Sequence, residues 1–237
     1  MTVEVPADPE AIALNPQASA VIVVDMQNDF GAPGGMFDRA GIDISPIRAV
    51  VEPTSRVLAG ARRAGMKVIY LKMEFRPDLS DAGGPDSPNW LKHLPLGLGK
   101  SLTSPDGSDG GVLVRDTWNT AIIPELAPQP GDIIVSKHRF SGFYATNLDG
   151  ILKGLDVRQL VFTGCTTSVC VESTVRDAMF RDYRCLVLSD CVAEPIGNDL
   201  PRTNHEASLL VIQTLFGWVT TSSEFLKALQ TQPIAAT

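Results

Sequence analysis

Short apolar runs alternate with longer segments whose apolar residues recur at helical spacing, and this alternation constrains the fold more than any other feature. A continuous apolar run of strand length is typical of a strand buried on both faces, as in parallel sheets. The pattern therefore predicts an α/β fold: a doubly wound, mainly parallel sheet with helices on both faces, in three layers. The predicted strands are residues 20–24, 67–71, 133–136, 159–163, 185–189 and about 218–220, and the predicted helices are residues 50–64, 147–155, 168–183, 201–215 and 222–229.

The alternation fails between about residues 73 and 130, where proline and glycine recur. A loop of that length in a compact domain is usually functional or disordered. Trp90 and Trp118 lie within it and could anchor it to the rest of the chain. We therefore expect a single domain over residues 1–237, with an irregular excursion at about 73–130 that forms a lid or a subunit contact.

The charge balance and the cysteine spacing disfavour several classes of protein. A net charge of −7 and the lack of a local Lys/Arg run disfavour a nucleic-acid partner. The first residues have no signal-peptide pattern and no apolar stretch is long enough to span a bilayer, so we expect a cytoplasmic protein with no membrane partner. The four cysteines show neither metal-binding nor disulfide spacing, so we expect no metal.

Chemically reactive side chains follow three of the predicted strands. Asp25 ends the first strand, Lys137 ends the third, and Cys170 lies just beyond the fourth. Ligands of open parallel sheets bind at the carboxyl ends of the strands, so these side chains are expected at one site. Cys170 falls in the first turn of a predicted helix, where the backbone N–H groups and the helix dipole favour a thiolate.

This combination predicts nucleophilic attack on a carbonyl carbon. A thiolate needs a group that takes its proton and returns it to the leaving nitrogen, and a carboxylate can do both. An ammonium can stabilise the negative charge, and backbone N–H groups at the turn before Cys170 can stabilise the oxyanion. Alternatives stay open: a Cys–His dyad with His138, a thiol redox protein using Cys165 and Cys170, and a non-catalytic binding module on the same fold.

Three segments in the same order carry a resemblance to the isochorismatase-like cysteine hydrolases, which runs from about residue 18 to residue 229. They are the opening strand Val21–Phe30, the lysine segment Ser136–Phe143, and the nucleophile segment Gly164–Thr174 with Arg176–Ala178.

The resemblance implies a role for each of these residues. Cys170 would be the nucleophile, Asp25 the general base and acid, and Lys137 the electrostatic partner. It also implies a cis peptide bond between Cys165 and Thr166, with the backbone N–H groups of Thr166 and Cys170 forming the oxyanion hole. It implies no cofactor, and a homo-oligomer that is a dimer or a tetramer.

Within this family the chain most resembles ureidoacrylate amidohydrolases, which cleave a C–N bond of a small ureide through a thioester. Five segments carry that likeness: residues 25–35, 82–85, 87–89, 128–132 and 216–219. Met73 and Phe140 depart from it, because a polar amide and a tyrosine are expected there. Lost hydrogen-bonding groups change which polar substrates a site accepts. Biuret, triuret and N-carbamoyl amino acids are therefore alternative substrates, and the predicted substrate-binding residues are Phe30, Asn89, Trp90 and Phe140.

Overall fold

A computed structural model describes residues 2–230 of the chain. Within that range the fold is built on a six-stranded sheet that is parallel throughout, which confirms the predicted α/β architecture. The strands are β1 (Val3–Val5), β2 (Ile12–Leu14), β3 (Ser19–Val24), β4 (Lys67–Met73), β5 (Ser101–Thr103), β6 (Asp109–Gly111), β7 (Ile133–Lys137), β8 (Gln159–Cys165), β9 (Arg184–Ala193) and β10 (Trp218–Thr220).

The order of strands in the sheet is β10-β9-β8-β3-β4-β7. The chain builds outward from β3 through β4 to β7 and then returns to the other side of β3 with β8. The order therefore reverses between β3 and β8, and such a reversal leaves a crevice at the carboxyl ends of the strands.

The sheet separates two apolar cores, because successive side chains of a strand point to opposite faces. Along the fully buried β3, Val21 and Val23 pack into one core, whereas Ile22 and Val24 pack into the other. The first core is covered by α4 (Val51–Arg63) and α9 (Ser222–Gln230), and the second by α6 (Leu148–Gly154) and α7 (Glu172–Met179). The helices are α1 (Asn28–Gly31), α2 (Met36–Arg39), α3 (Ser45–Ala49), α4 (Val51–Arg63), α5 (Pro88–His93), α6 (Leu148–Gly154), α7 (Glu172–Met179), α8 (Asn204–Val211) and α9 (Ser222–Gln230).

Two predicted helices begin differently from what the sequence pattern indicates. The helix expected from residue 201 begins at Asn204, because the Thr203 side chain accepts the backbone N–H of Glu206 and the Glu206 carboxylate accepts that of Thr203. This reciprocal capping box fixes the first turn. The helix expected over 168–183 begins as a π-helical turn, Thr167–Val171, and only then becomes α7.

The excursion at 73–130 has more regular structure than its sequence indicates. It contains α5, the β5–β6 hairpin and short 3₁₀ turns, among them Leu94–Leu96 and Trp118–Thr120. A second hairpin, β1–β2, was also not predicted. None of the helices in the described part of the chain is long and apolar enough to cross a membrane.

Candidate active site

Asp25, Lys137 and Cys170 meet at the crevice between β3 and β8. The Lys137 ammonium donates a hydrogen bond to Asp25 Oδ2 at 2.8 Å and lies 3.4 Å from Cys170 Sγ. Lys137 and Asp25 are each 1% exposed and Cys170 is 6% exposed. The Lys137 ammonium also contacts the Arg139 carbonyl at 3.3 Å and the Met73 sulfur at 3.7 Å. The cation is therefore held in one place, between the carboxylate and the thiol.

The backbone turns sharply at Asp25, immediately after β3. Its φ of 51° lies in the left-handed region, which aspartate tolerates better than most residues. Its N–H donates to the Leu71 carbonyl at 3.0 Å, and its carbonyl accepts the N–H of Gln27 at 2.8 Å and the thiol of Cys165 at 3.3 Å. These bonds fix the carboxylate at the edge of the sheet.

Glycine is required in β8 beside this turn. A Cβ atom at Gly164 would lie 2.0 Å from the Val24 carbonyl oxygen, and the φ of Gly164 is 108°. Only glycine allows so close a backbone approach at such a φ. Gly164 thus brings the nucleophile segment directly against the end of β3.

Cys170 lies in the π-helical turn that links β8 to α7. The peptide bond between Cys165 and Thr166 is cis. The Thr174 hydroxyl donates to the Cys170 carbonyl at 2.6 Å and accepts the N–H of Gly142 at 3.0 Å. The backbone that carries the sulfur is therefore tied both to α7 and to the segment after β7.

The charges of the site depend on its burial. Burial raises the pKa of the Cys170 thiol, and the Asp25 carboxylate adds to this while Lys137 opposes it. Burial also raises the pKa of Asp25, against the charge of Lys137. For Lys137, burial acts to lower the pKa, but the attraction of Asp25 and Cys170 outweighs it and the pKa is raised. Burial of the sulfur therefore disfavours the thiolate that its position in a first helical turn was expected to favour.

A cavity of about 190 Å³ opens onto Cys170. It is smaller than most ligand pockets, so it fits a small molecule. Its walls are mainly apolar and come from the segment after β3, from the excursion, and from the loops after β7, β8 and β9. The lining residues are Phe30, Met36, Phe37, Ile42, Met73, Lys92, His93, Leu96, Phe140, Thr166, Val169, Cys170 and Ile196.

The structure separates the four predicted substrate-binding residues into two pairs. Phe30 and Phe140 line the cavity, whereas Asn89 and Trp90 are not among its lining residues. The Asn89 side chain donates to the Ala82 carbonyl at 2.8 Å, and Trp90 packs against the first apolar core. The residues of α5 that do line the cavity are Lys92 and His93. Sequence inspection missed both, because nothing local indicates that α5 folds over the carboxyl ends of β3 and β8.

The alternative arrangements are not assembled around Cys170. The His138 ring packs edge-on against Tyr144 with 6.1 Å between centroids, and His138 does not line the cavity. The Cys165 thiol donates to the Asp25 carbonyl, and all four cysteines are free. Residues 2–230 contain no group of three His, Cys, Asp or Glu side chains that could hold a metal ion.

Known proteins are similar to this chain in both sequence and fold. The isochorismatase domain profile matches residues 19–224. Ureidoacrylate amidohydrolase RutB of Methylobacterium radiotolerans is 42% identical over 227 residues, which cover 96% of this chain and 85% of that protein. A cysteine hydrolase structure from Pseudomonas syringae pv. phaseolicola superposes with a TM-score of 0.77 at 31% identity, covering 97% of both chains. N-carbamoylsarcosine amidase from Thermoplasma acidophilum superposes with a TM-score of 0.62 at 26% identity, covering 86% of this chain and 96% of that one. With a profile match over most of its length and such relatives, this chain belongs to the isochorismatase family.

Proposed function

We propose that this protein is a cysteine amidohydrolase that cleaves a C–N bond of a small ureide or amide through a thioester, with ureidoacrylate-like molecules as its substrate class. The contact of Lys137 with both Asp25 and Cys170 is the observation that carries the proposal. It joins a nucleophile that lines one small cavity to a buried proton acceptor and a buried, fixed positive charge. Relatives named as ureidoacrylate amidohydrolases support the substrate class.

In the first step the Cys170 sulfur attacks the carbonyl carbon while its proton passes to Asp25. Asp25 Oδ2 already accepts from Lys137, whereas Oδ1 is buried and has no hydrogen-bond partner in the described structure. We infer that Oδ1 takes the proton. Removing the proton during attack avoids a free thiolate, which burial makes costly.

The tetrahedral intermediate then collapses. Its oxyanion accepts hydrogen bonds from the backbone N–H groups of Thr166 and Cys170, and the nearby Lys137 ammonium stabilises the added charge. Asp25 returns the proton to the leaving nitrogen as the C–N bond breaks, which leaves an acyl or carbamoyl thioester on Cys170. Water activated by Asp25 hydrolyses the thioester and restores the thiol.

The substrate class includes a second candidate, the N-carbamoyl amino acids. One structural relative is named N-carbamoylsarcosine amidase. Met73 and Phe140 line the cavity at the two positions where the chain departs from the ureidoacrylate amidohydrolase pattern. Both side chains are apolar, so the substrate meets fewer hydrogen-bonding groups there. Biuret and triuret are compared with them as further candidate substrates.

The test is release of ammonia, carbamate and amine from a panel of ureidoacrylate, N-carbamoyl amino acids, biuret, triuret and nicotinamide. Wild-type protein is compared with Cys170→Ser, and with Cys185→Ser as the matched control, because Cys185 is buried in β9 away from the cavity. Turnover of one panel member that only Cys170→Ser abolishes supports the proposal. Full activity in Cys170→Ser contradicts it.

We further propose that the protein is a homo-oligomer, a dimer or a tetramer. Large apolar side chains on the sheet face covered by α7 stay exposed, with Phe180 at 67% and Leu215 at 65%. Light scattering on wild type and on Phe180→Asp tests this. A monomeric wild type contradicts it.

A further inference from the structure

His93 has a fixed orientation in the wall of the cavity. It is the last residue of α5 and is 5% exposed. Its Nδ1 lies 2.7 Å from the carbonyl oxygen of Asn89, one helical turn earlier. A carbonyl only accepts hydrogen bonds, so Nδ1 carries the proton and Nε2 carries the free lone pair.

Two aromatic rings pack against the imidazole. The Phe75 ring lies edge-on with 5.6 Å between centroids, and the Phe140 ring is tilted by 34° with 5.5 Å between centroids. The helix that carries His93 is itself anchored, because the Ser87 hydroxyl accepts the N–H of Trp90 at 3.1 Å. The ring is therefore held in place before a substrate binds.

The surroundings of His93 favour the neutral imidazole. Burial lowers the pKa of His93, and the positive charges of Lys137 and Arg139 lower it further, against the hydrogen bond to Asn89. A neutral ring with its proton on Nδ1 presents an acceptor at Nε2. No side chain in the described residues hydrogen-bonds to Nε2.

Few lining groups of this cavity can accept a hydrogen bond. Most are aliphatic or aromatic, and Lys92 can only donate. A ureide, however, carries N–H donors on both sides of its carbonyl, and each must find an acceptor when it leaves water.

We propose that His93 is a specificity-determining residue whose Nε2 accepts a hydrogen bond from a ureido N–H of the substrate. This inference rests on the proposed function for its substrate class. It predicts that the site favours ureides over analogues in which that N–H is replaced by an oxygen or a methylated nitrogen.

Binding to a Cys170→Ala protein tests the inference without turnover. The probes are N-carbamoyl-β-alanine, the analogue with oxygen in place of its internal N–H, and the analogue with a dimethylated terminal nitrogen. Calorimetry measures their dissociation constants in Cys170→Ala alone and combined with His93→Phe, His93→Gln or His138→Phe. Phenylalanine keeps the aromatic ring, glutamine restores an acceptor oxygen, and His138 lies outside the cavity.

We expect His93→Phe to weaken binding of N-carbamoyl-β-alanine by about 10- to 100-fold, because a buried donor loses its acceptor. The effect should disappear for the analogue that lacks the N–H bound by His93. Glutamine should recover most of the affinity, and His138→Phe should leave it unchanged. Thermal unfolding of each variant confirms that it folds.

Three results overturn the inference: no weakening by His93→Phe, equal weakening for all three probes, or no binding of any probe. The proposed function is tested separately, by turnover in the wild type. If His93→Phe weakens binding selectively but the wild type hydrolyses no substrate of the panel, the hydrolase mechanism is rejected and the role of His93 in binding is kept.

Discussion

Glu194 holds Ser168, two residues before the proposed nucleophile, by both its backbone and its side chain. One Glu194 carboxylate oxygen accepts the Ser168 N–H at 2.9 Å and the Ser168 hydroxyl at 2.5 Å. The other accepts the N–H of Ile196 at 3.1 Å, and Ile196 lines the cavity. Glu194 is 2% exposed. One buried carboxylate therefore ties the nucleophile turn to the opposite wall of the site.

Replacing Glu194 with alanine should misplace Cys170 while leaving the fold intact. Hydrogen bonds to a charged acceptor contribute about 1.5–3 kcal/mol each, so we expect kcat/KM to fall by about 10- to 100-fold, mainly through kcat. Steady-state kinetics and the rate of Cys170 alkylation measure the effect. Glu52→Ala is the control, since Glu52 pairs with Arg56 on the exposed face of α4. Unchanged kcat and alkylation in Glu194→Ala would show that the contact does not position the sulfur.

The buried ion pair of Asp25 and Lys137 should show strong coupling in stability. Removing one partner of a buried ion pair lowers the free energy of unfolding by about 3–5 kcal/mol, because the other charge stays desolvated. We expect Asp25→Asn and Lys137→Met each to lower the free energy of unfolding, and the double variant to be more stable than the sum of the two effects indicates. Denaturant unfolding of all four proteins gives the coupling. Purely additive effects on the free energy of unfolding would mean that the pair does not interact in the folded protein. We also expect all three variants to be inactive.

Alkylation of Cys170 by iodoacetamide should depend on pH as expected of a buried thiol. Because the pKa of the thiol is raised above its ordinary value, the thiolate fraction keeps increasing with pH. We expect the rate to rise between about pH 7 and about pH 9 without a plateau, since an ordinary cysteine already titrates near pH 8.5. Asp25→Asn removes a charge that raises this pKa, so its profile should move to lower pH. Mass spectrometry of the Cys170 peptide follows the reaction, and a plateau below about pH 7 would instead indicate a resting thiolate.

Asp29 should stabilise the wall of the cavity through its charge. One of its oxygens accepts the N–H of Met36 at 3.0 Å and the side-chain amide of Asn119 at 2.6 Å, and the other accepts the N–H of Leu113 at 2.7 Å. Asp29→Asn replaces one acceptor oxygen with an NH₂ donor that faces other donors. We expect this to lower the free energy of unfolding by about 1–3 kcal/mol, and to raise KM more than it lowers kcat. Asp38→Asn, on the exposed side of α2, is the matched control. Equal unfolding free energies for Asp29→Asn and wild type would contradict the prediction.

The convergence of Asp25, Lys137 and Cys170 was predictable from the sequence. Each follows an apolar strand, and in a parallel sheet all the strands end at one edge. The local geometry of the nucleophile was not predictable to the same degree. A helical pattern places Cys170 in a first turn but does not distinguish a π-helical turn from an α-helical one. The electrostatic effect of burial on the thiol appears only once the turn is packed between the strand ends.

The walls of the cavity were the least predictable part of the site. Phe30 was found because it lies five residues beyond Asp25 in the same motif. His93 and Ile196 reach the cavity through α5 and through the loop after β9, and the position of that loop depends on a long-range contact of Glu194 with Ser168. Asn89 and Trp90 were predicted from their proximity to a motif, but neither lines the cavity. Sequence periodicity carries no information on which side of a short helix such as α5 will face a ligand.

The reacting groups and the surrounding wall come from different parts of the architecture. Asp25 and Lys137 lie at the ends of sheet strands, whereas His93 and Leu96 belong to an excursion that joins β4 to β7. Exchange of residues 88–96 between homologous chains would therefore alter which substrates bind, while Asp25, Lys137 and Cys170 stay in place. In this scaffold, selectivity can diversify by loop replacement without the chemistry having to be rebuilt.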